Sequence, residues 1–443
     1  MVLEQPETLA QRKERGLRYL NRNTPHCVEG KNQLWGVHCT KSRERAAFRT
    51  LDDYSGTATE RRPLTVGNFS WITPSTSLSS INLNWRERDL PERLRTKHVH
   101  RLHPYLGKYV PQLVEIFLRK FEPQTVCDPF CGSGTTLVEA NVLGIGSIGY
   151  DISSFNCLLS KAKTDKYDTR KLEFEIKDIL SKTVGVIRRA GIRKERAETE
   201  ATPYLREWFA PKALFQLLLY RSFIGNYQYK DVLKVILSRA ARSARLTTHY
   251  DLDFPKKPQT VSYFCHKHQR ICRPTDDALT FLSRYSIDTI ERIREFSTLR
   301  SDAPVAIMCD DSRKADFPPF DAVITSPPYV GLIDYHEQHR YAYELLGLPD
   351  KRNLEIGAAS DGSSKKAVED YVRGICAVFE HVRKSMSDNG VVVIVVNDKR
   401  NLYSGLADKV GFSVEEILTR NVNRRTGRRA DDFFEQILTW RAA

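Results

Sequence analysis

Beginning at residue 110, the apolar positions Val110, Leu113, Val114, Phe117 and Leu118 fall three or four apart. That is the spacing of one buried helix face, and it predicts an amphipathic helix over 110–121. Thr125-Val126-Cys127 then reads as a short strand, 137–143 as a helix and Gly144 as its stop. A second short strand, 147–150, ends on Asp151. Strand, glycine-bearing loop, helix, strand and acid together open a doubly wound α/β sheet. The stretch of about 160–300 has a different texture. Helical periodicity over 172–187, 212–220, 232–245 and 278–296 alternates with basic and aromatic stretches such as 188–196 and 249–273. Strand signals resume at 305–309, which ends in Asp310-Asp311, and at 321–325. Residues 341–348 and 368–385 read as helices, with 357–364 as a flexible loop between them. The run 390–396 reads as a buried strand, and 433–440 as a last strand after a basic loop at 421–429. A sheet interrupted by one long helical insertion accounts for this order.

Charge gives the pattern a direction. The 443-residue chain has a formal net charge of +14 and a pI near 9.3. That favours a polyanionic partner, nucleic acid ahead of an anionic membrane surface. The longest aliphatic run, 391–396, is far too short to span a bilayer. The amino-terminal MVLEQPETLAQRKERG has neither the apolar core nor the cleavage site of a signal peptide. Nine scattered cysteines point to reduced thiols in a cytosolic compartment rather than to a disulfide framework.

Two stretches carry chemistry. In Asp128-Pro129-Phe130-Cys131-Gly132-Ser133-Gly134-Thr135-Thr136, two glycines at a strand-to-helix turn let the backbone approach a ligand closely. The third glycine of a dinucleotide fingerprint is replaced by Leu137, and no Gly-Lys-Ser/Thr follows, so a phosphate cradle is disfavoured. Asp128 at the first strand end suits a cation or an amine. Asp151 is placed for ribose hydroxyls, and Asp310 or Asp311 for an adenine amino group. A ligand with an ammonium, a ribose and an adenine but no phosphate fits S-adenosylmethionine. The second stretch is Thr325-Ser326-Pro327-Pro328-Tyr329. Its prolines stiffen a non-helical loop at a strand's carboxyl end. The loop offers a hydroxyl, free carbonyls and a ring to a planar polar molecule. Alone it would pass for a stiff surface turn.

DPFCGSGTT resembles the cofactor motif of the S-adenosylmethionine-dependent DNA amino-methyltransferases, and TSPPY resembles their catalytic motif. HPYLGKYVPQLVEIFL, from His103, resembles the helix that this family sets against the methionine end of the cofactor. The resemblance covers about 95–165 and 300–441. It implies a Rossmann-like methyltransferase sheet with a mostly helical insertion, S-adenosylmethionine as cofactor and double-stranded DNA as partner. The implied organisation is an amino-terminal extension over 1–84, catalytic-domain halves over 85–165 and 301–443, and a target-recognition insertion over 166–300. The implied cofactor set is His103, Asp128, Pro129, Phe130, Gly132, Gly134, Thr135, Asp151, Asp310 and Asp311. The implied catalytic set is Ser326, Pro327, Pro328 and Tyr329. Serine at the loop's first position is typical of cytosine N4 enzymes, and Asp or Asn of adenine N6 enzymes. The expectation is therefore cytosine N4 methylation of a flipped base. Adenine N6 methylation, RNA base methylation and a catalytically idle nucleic-acid-binding protein are the alternatives. The motif order, cofactor before catalytic, departs from the reverse order common among cytosine N4 enzymes. A prokaryotic, nucleoid-associated cytoplasmic location is implied, with a cognate restriction endonuclease acting separately as a compatible companion.

Other residues admit plainer readings. Arg188, Arg189, Arg193, Lys267, Arg270, Arg424, Arg425, Arg428 and Arg429 lie in basic stretches, which are solvated surface or phosphate contacts. Arg420 is grouped with the last of these loops. Asp334, Tyr335 and His336 either line the base pocket or begin the next helix. His26-Cys27 and His38-Cys39 fit no standard zinc spacing, and Cys265, His266, His268 and Cys272 have no companion cluster close in sequence. The expectation is no metal. Cys131 is rejected as a cytosine C5 nucleophile, because such a cysteine belongs to a Pro-Cys loop and TSPPY has none.

Overall fold

The computed structural model describes residues 69–190, 201–249, 251–252, 255–422 and 433–442. Its centre is a seven-stranded sheet in the order β5-β2-β1-β6-β7-β9-β8. The strands are β1 (Thr125–Asp128), β2 (Gly146–Tyr150), β5 (Val305–Met308), β6 (Phe320–Thr325), β7 (Met386–Val396), β8 (Phe412–Val422) and β9 (Phe433–Ala442). A two-stranded hairpin, β3 (Tyr263–Cys265) and β4 (Arg270–Cys272), stands apart. β1, β2, β5, β6 and β7 pair in parallel, and β9 enters antiparallel between β7 and β8. The sheet is doubly wound, with β1 next to β6. That adjacency brings two loops distant in sequence to the same edge.

The apolar run of β7 sits in the middle because it is buried on both faces. Val391, Val393 and Val395 face one layer, where helix α1 (Pro111–Phe121) contributes Leu113, Val114, Phe117 and Leu118. Phe69, Ile72, Leu78, Ile81 and Leu83 close that layer. Val392, Ile394 and Val396 face the other layer, filled by Ile375, Val378, Phe379 and Val382 of a helix at Lys365–Ser385 and by Trp440 of β9.

Further helices include α2 (Thr135–Val142), α3 (Ser154–Thr164), α4 (Thr169–Ala190), α5 (Pro211–Phe223), α6 (Lys230–Ala244), α7 (Leu279–Ser297) and α8 (Arg340–Leu346). The helices of 166–300 do not build a core of their own. Their apolar faces join Val138 of α2, Phe155 and Leu159 of α3, and Tyr341 and Leu345 of α8 in one cluster. The segment after the TSPPY loop is thereby packed against the insertion.

Three elements depart from the pattern reading. α3 is capped by Ser153, whose side chain accepts from the Asn156 amide. β8 is an edge strand that leaves Val414 and Ile417 exposed, so its alternation is weak. The stretch 249–273, read as a loop, contains the β3–β4 hairpin. Among the described residues, no helix is long and apolar enough to cross a membrane.

Candidate active site

A cavity of about 820 Å³, counting its open mouth, lies at the carboxyl ends of β1, β2 and β6. Of the residues singled out in the sequence, Pro129, Phe130, Gly132, Thr135, Asp151, Asp311, Ser326 and Pro328 line it. Both motifs therefore face one space. Gly132 and Gly134 adopt φ of +50° and +78°, the left-handed region where a side chain is strained. A Cβ on Gly134 would lie 2.8 Å from Ser160 Oγ and 3.2 Å from its Cα. One on Gly132 would lie 3.2 Å from the Tyr105 hydroxyl, across the cavity wall. Gly132 shapes the cavity, whereas Gly134 seats α2 against α3.

Asp128 does not face the ligand space. It is fully buried, and its carboxylate accepts from the chain on both oxygens. Thr325 donates to Oδ1 at 2.6 Å, and Thr136 donates to Oδ2 at 2.7 Å. The Phe130 amide donates to Oδ1 at 3.2 Å. The Tyr109 hydroxyl contacts Thr136 and lies 3.3 Å from Oδ2. Burial pushes the carboxyl above its ordinary range, opposed by the bonds from Thr325 and Thr136. The expectation that Asp128 meets a cation or an amine is corrected: it ties the glycine turn to the first residue of TSPPY.

Asp151 lines the cavity. It accepts from the amides of Gly132 at 2.9 Å and Ser153 at 2.8 Å, and from Asn156 Nδ2 at 3.1 Å. Burial still raises its carboxyl to about 7. Asp310 is exposed and outside the wall. Asp311 is in the wall, paired with Arg313 at 2.7 Å. His103 is a further correction. It is buried behind the wall, with Nδ1 at 2.7 Å from the Pro104 carbonyl, while its neighbours Tyr105, Gly107, Lys108 and Tyr109 reach the cavity.

The TSPPY loop is held at both ends. Thr325 is bound to Asp128, and Tyr371 donates to the Pro328 carbonyl at 3.0 Å. The Tyr329 hydroxyl donates to Glu435 Oε1 at 3.2 Å. The other oxygen of Glu435 receives Arg420 Nε and Nη2 at 2.9 and 2.7 Å. Arg420 is thus a buried residue of β8, not part of a solvated basic loop. Neither Pro327 nor Tyr329 is in the cavity wall. Pro327 is buried and Tyr329 is half-buried against the Lys365–Ser385 side of the sheet.

Several wall residues carried no clear sequence signal. Tyr105 stacks on Tyr335, with centroids 6.0 Å apart, and accepts from Asn156 Nδ2 at 3.0 Å. Tyr335 and His336 line the cavity and also begin a short helix, Tyr335–Gln338. Glu355 pins them through their amides at 3.1 and 2.7 Å. Three buried polar atoms of the wall have no partner: Ser133 Oγ, Asn156 Oδ1 and His336 Nε2. Unsatisfied groups of this kind suit a polar ligand. Burial, with Asp151 and Asp128 nearby, pushes the Cys131 thiol well above its ordinary value, which disfavours a thiolate nucleophile here.

Of the basic residues, Arg188 and Arg189 are exposed at the end of α4, and Lys267 and Arg270 are exposed on the β3–β4 hairpin. Arg193, Arg424, Arg425, Arg428 and Arg429 lie outside the described residues, as do His26, Cys27, His38 and Cys39.

A family model described as DNA methylase, of N6 and N4 type, matches residues 108–162, which contain the glycine turn. Type II methyltransferase M.MjaII of Methanocaldococcus jannaschii is 37% identical, over 79% of this chain and 81% of that protein. Type II methyltransferase M.MvaI of Kocuria varians is 25% identical, over 52% of this chain and 53% of that protein. Among solved structures, TrmN from Thermus thermophilus aligns with a TM-score of 0.30 at 11% identity, covering 79% of this chain and 53% of that one.

The glycine geometry predicts the effect of one methyl group. Gly134→Ala combines a left-handed φ with a contact on the Ser160 backbone. It should destabilise the chain by about 1–3 kcal/mol in chemical denaturation. An unchanged denaturation midpoint would show that the turn relaxes freely.

Proposed function

The chain belongs to the N6 and N4 DNA methylase family, and from that premise we propose that it methylates the exocyclic N4 of cytosine in a base flipped out of duplex DNA. It is a DNA methyltransferase that uses S-adenosylmethionine. The finer choice of base is our reading, and the observation that carries it is Ser326. This neutral hydroxyl stands at the loop position where adenine enzymes of the family have Asp or Asn, and it lines the same cavity as the glycine turn.

The cavity's chemistry suits the cofactor. A glycine turn without a phosphate cradle, a carboxylate at Asp151 and the unpartnered Ser133 Oγ and Asn156 Oδ1 offer acceptors and donors to an amino acid and a ribose. Asp151, Gly132, Phe130 and Asp311 would hold it, beside Tyr105 and Lys108. When bound, S-adenosylmethionine supplies an electrophilic methyl group on a sulfonium.

The chain's own part is to position the acceptor. An exocyclic amino nitrogen is a poor nucleophile because its lone pair is delocalised into the ring. Acceptance of its hydrogens by the Ser326 hydroxyl and the Pro327 carbonyl favours a more tetrahedral nitrogen. Tyr329, with its hydroxyl anchored on Glu435, provides a ring of fixed orientation for the base. A loop tethered through Thr325, Pro328 and Tyr329 meets the transition state with little reorganisation. The insertion over 166–300, which exposes Arg188, Arg189, Lys267 and Arg270, is proposed as the target-recognition region. A separate endonuclease reading the same site is the fitting companion.

Incubation with labelled cofactor and duplex DNA, followed by mass spectrometry of the nucleosides, should yield N4-methylcytosine. N6-methyladenine would overturn the base assignment, and labelling of RNA alone would overturn the substrate. Ser326→Ala should lower kcat by roughly 10²–10³-fold with little change in cofactor affinity.

Asp151 gives a pH dependence. Its folded pKa of about 7 lies above that of an unfolded carboxyl, so the free chain loses stability as pH rises from the ordinary carboxylate range through 7. Only the ionised form accepts fully from ribose hydroxyls. Cofactor affinity measured by calorimetry should therefore fall by up to about tenfold per unit below pH 7. Asp151→Asn should bind weakly with a flat profile. A wild-type profile that is already flat between pH 5.5 and 8 (a range of roughly two units around the pKa) would contradict this role.

A further inference from the structure

The β3–β4 hairpin holds chemistry that methyl transfer does not use. Its two strands are three residues each, far too short to be stable in water alone. Its outer face is apolar but uncovered: Phe264 and Ile271 are 50% and 66% exposed. Its inner face is different. Cys265 pairs with Arg270 and Tyr263 with Cys272, so the period-two alternation turns both cysteines to the same side. Both are buried and neither is in a disulfide. Gln269, at φ +52°, closes the turn, and His268 reaches back from it, its amide donating to the Cys265 carbonyl at 3.1 Å. The fourth group comes from outside the hairpin. His249, beyond the end of α6, is held against it by the Tyr263 hydroxyl, which accepts from the His249 amide at 3.0 Å.

The donor atoms of His249, Cys265, His268 and Cys272 all lie within 4.8 Å of one another. Cys265 Sγ is 3.6 Å from Nδ1 of both His249 and His268, and Cys272 Sγ is 3.6 Å from Nδ1 of His268. With Zn–S near 2.3 Å and Zn–N near 2.0–2.1 Å, the sulfur-to-nitrogen edge of a tetrahedral site is about 3.6 Å. Hydrogen bonding accounts for the cluster less well. A thiol has one proton, yet Cys265 meets two ring nitrogens at equal distance. A neutral imidazole nitrogen has one lone pair, yet His268 Nδ1 meets two sulfurs. The Tyr263 hydroxyl, 2.9 Å from His249 Nδ1, is the competing contact and keeps the backbone amide when that nitrogen is ligated.

We propose that His249, Cys265, His268 and Cys272 form a structural zinc site that staples the hairpin to the segment after α6. Two sulfurs and two imidazoles select Zn²⁺ over hard cations, and four protein ligands close the site to water. Binding displaces the two thiol protons and supplies the stability that so small a hairpin lacks in apolar contacts. The sequence reading expected no metal because it sought a companion cluster close to Cys265–Cys272. The completing ligand is His249, a single residue across a longer loop. One consequence rests on the DNA reading: a rigid hairpin holds Lys267 and Arg270, both exposed, in place for phosphates.

The full chain, dialysed after purification without added metal, should carry about one zinc by elemental analysis. Cys265→Ser with Cys272→Ser should lose that equivalent, and Cys27→Ser with Cys39→Ser should keep it. Cobalt exchanged into the wild-type chain should give thiolate charge-transfer absorption and the intense visible bands of a tetrahedral site. This readout does not depend on how any variant folds. Zinc loss should weaken DNA binding and leave S-adenosylmethionine affinity unchanged. No bound zinc, zinc unaffected by the Cys265 and Cys272 substitutions, or octahedral cobalt spectra would overturn the site. An intact zinc equivalent in a chain that binds no DNA would overturn only the consequence for phosphate contact.

Discussion

One buried carboxylate organises the site. Asp128 ends β1, and its oxygens are taken by Thr136 of α2, by Thr325 at the end of β6 and by the Phe130 amide of the glycine turn. An unpaired carboxylate at this depth would be costly, so the groups that satisfy it are constrained together. The constraint acts across 197 residues of sequence. It exists because β1 and β6 are parallel neighbours, Val126 beside Ala322 and Cys127 beside Val323. Topology brings the two loop starts close, and the carboxylate fixes their relative position.

The other end of the TSPPY loop is fixed by a second set of contacts. Tyr371 holds the Pro328 carbonyl and touches Tyr403, and the Tyr329 hydroxyl rests on Oε1 of Glu435, whose Oε2 receives both Nε and Nη2 of Arg420. These partners come from the Lys365–Ser385 helix, β8 and β9. The late strands, which contribute nothing to the cavity wall, therefore brace the loop from behind. Ser326 stands between two tethered points, and the proposed mechanism uses that fixed position to orient the base's amino group.

Much of this was legible in the sequence, and the rest was hidden for identifiable reasons. The run 110–121 carried clear periodicity because one face of its helix packs on a core, and 390–396 read as continuously apolar because both its faces are buried. The two motifs were legible because proline restricts the backbone and glycine admits conformations that other residues avoid. The direction of a side chain was not. Asp128 and His103 lie in segments that line the cavity but point inward, toward Thr325 and Tyr341, partners far away in sequence. Arg420 looked like surface charge because its partner Glu435 lies across the 421–429 stretch. β8 was obscured by its edge position, and the β3–β4 hairpin by its reliance on polar residues in place of apolar ones.

The central claim is that Asp128 clamps two loops and does not itself hold the ligand. A double-mutant cycle with Asp128→Asn and Thr325→Val, read as unfolding free energy, tests it directly. The clamp predicts that each single change destabilises the chain and that the pair is non-additive by more than about 0.5 kcal/mol. Thr325→Val, which touches no ligand-facing atom, should also lower methyl-transfer rate. Additive losses, with activity intact in Thr325→Val, would contradict the account.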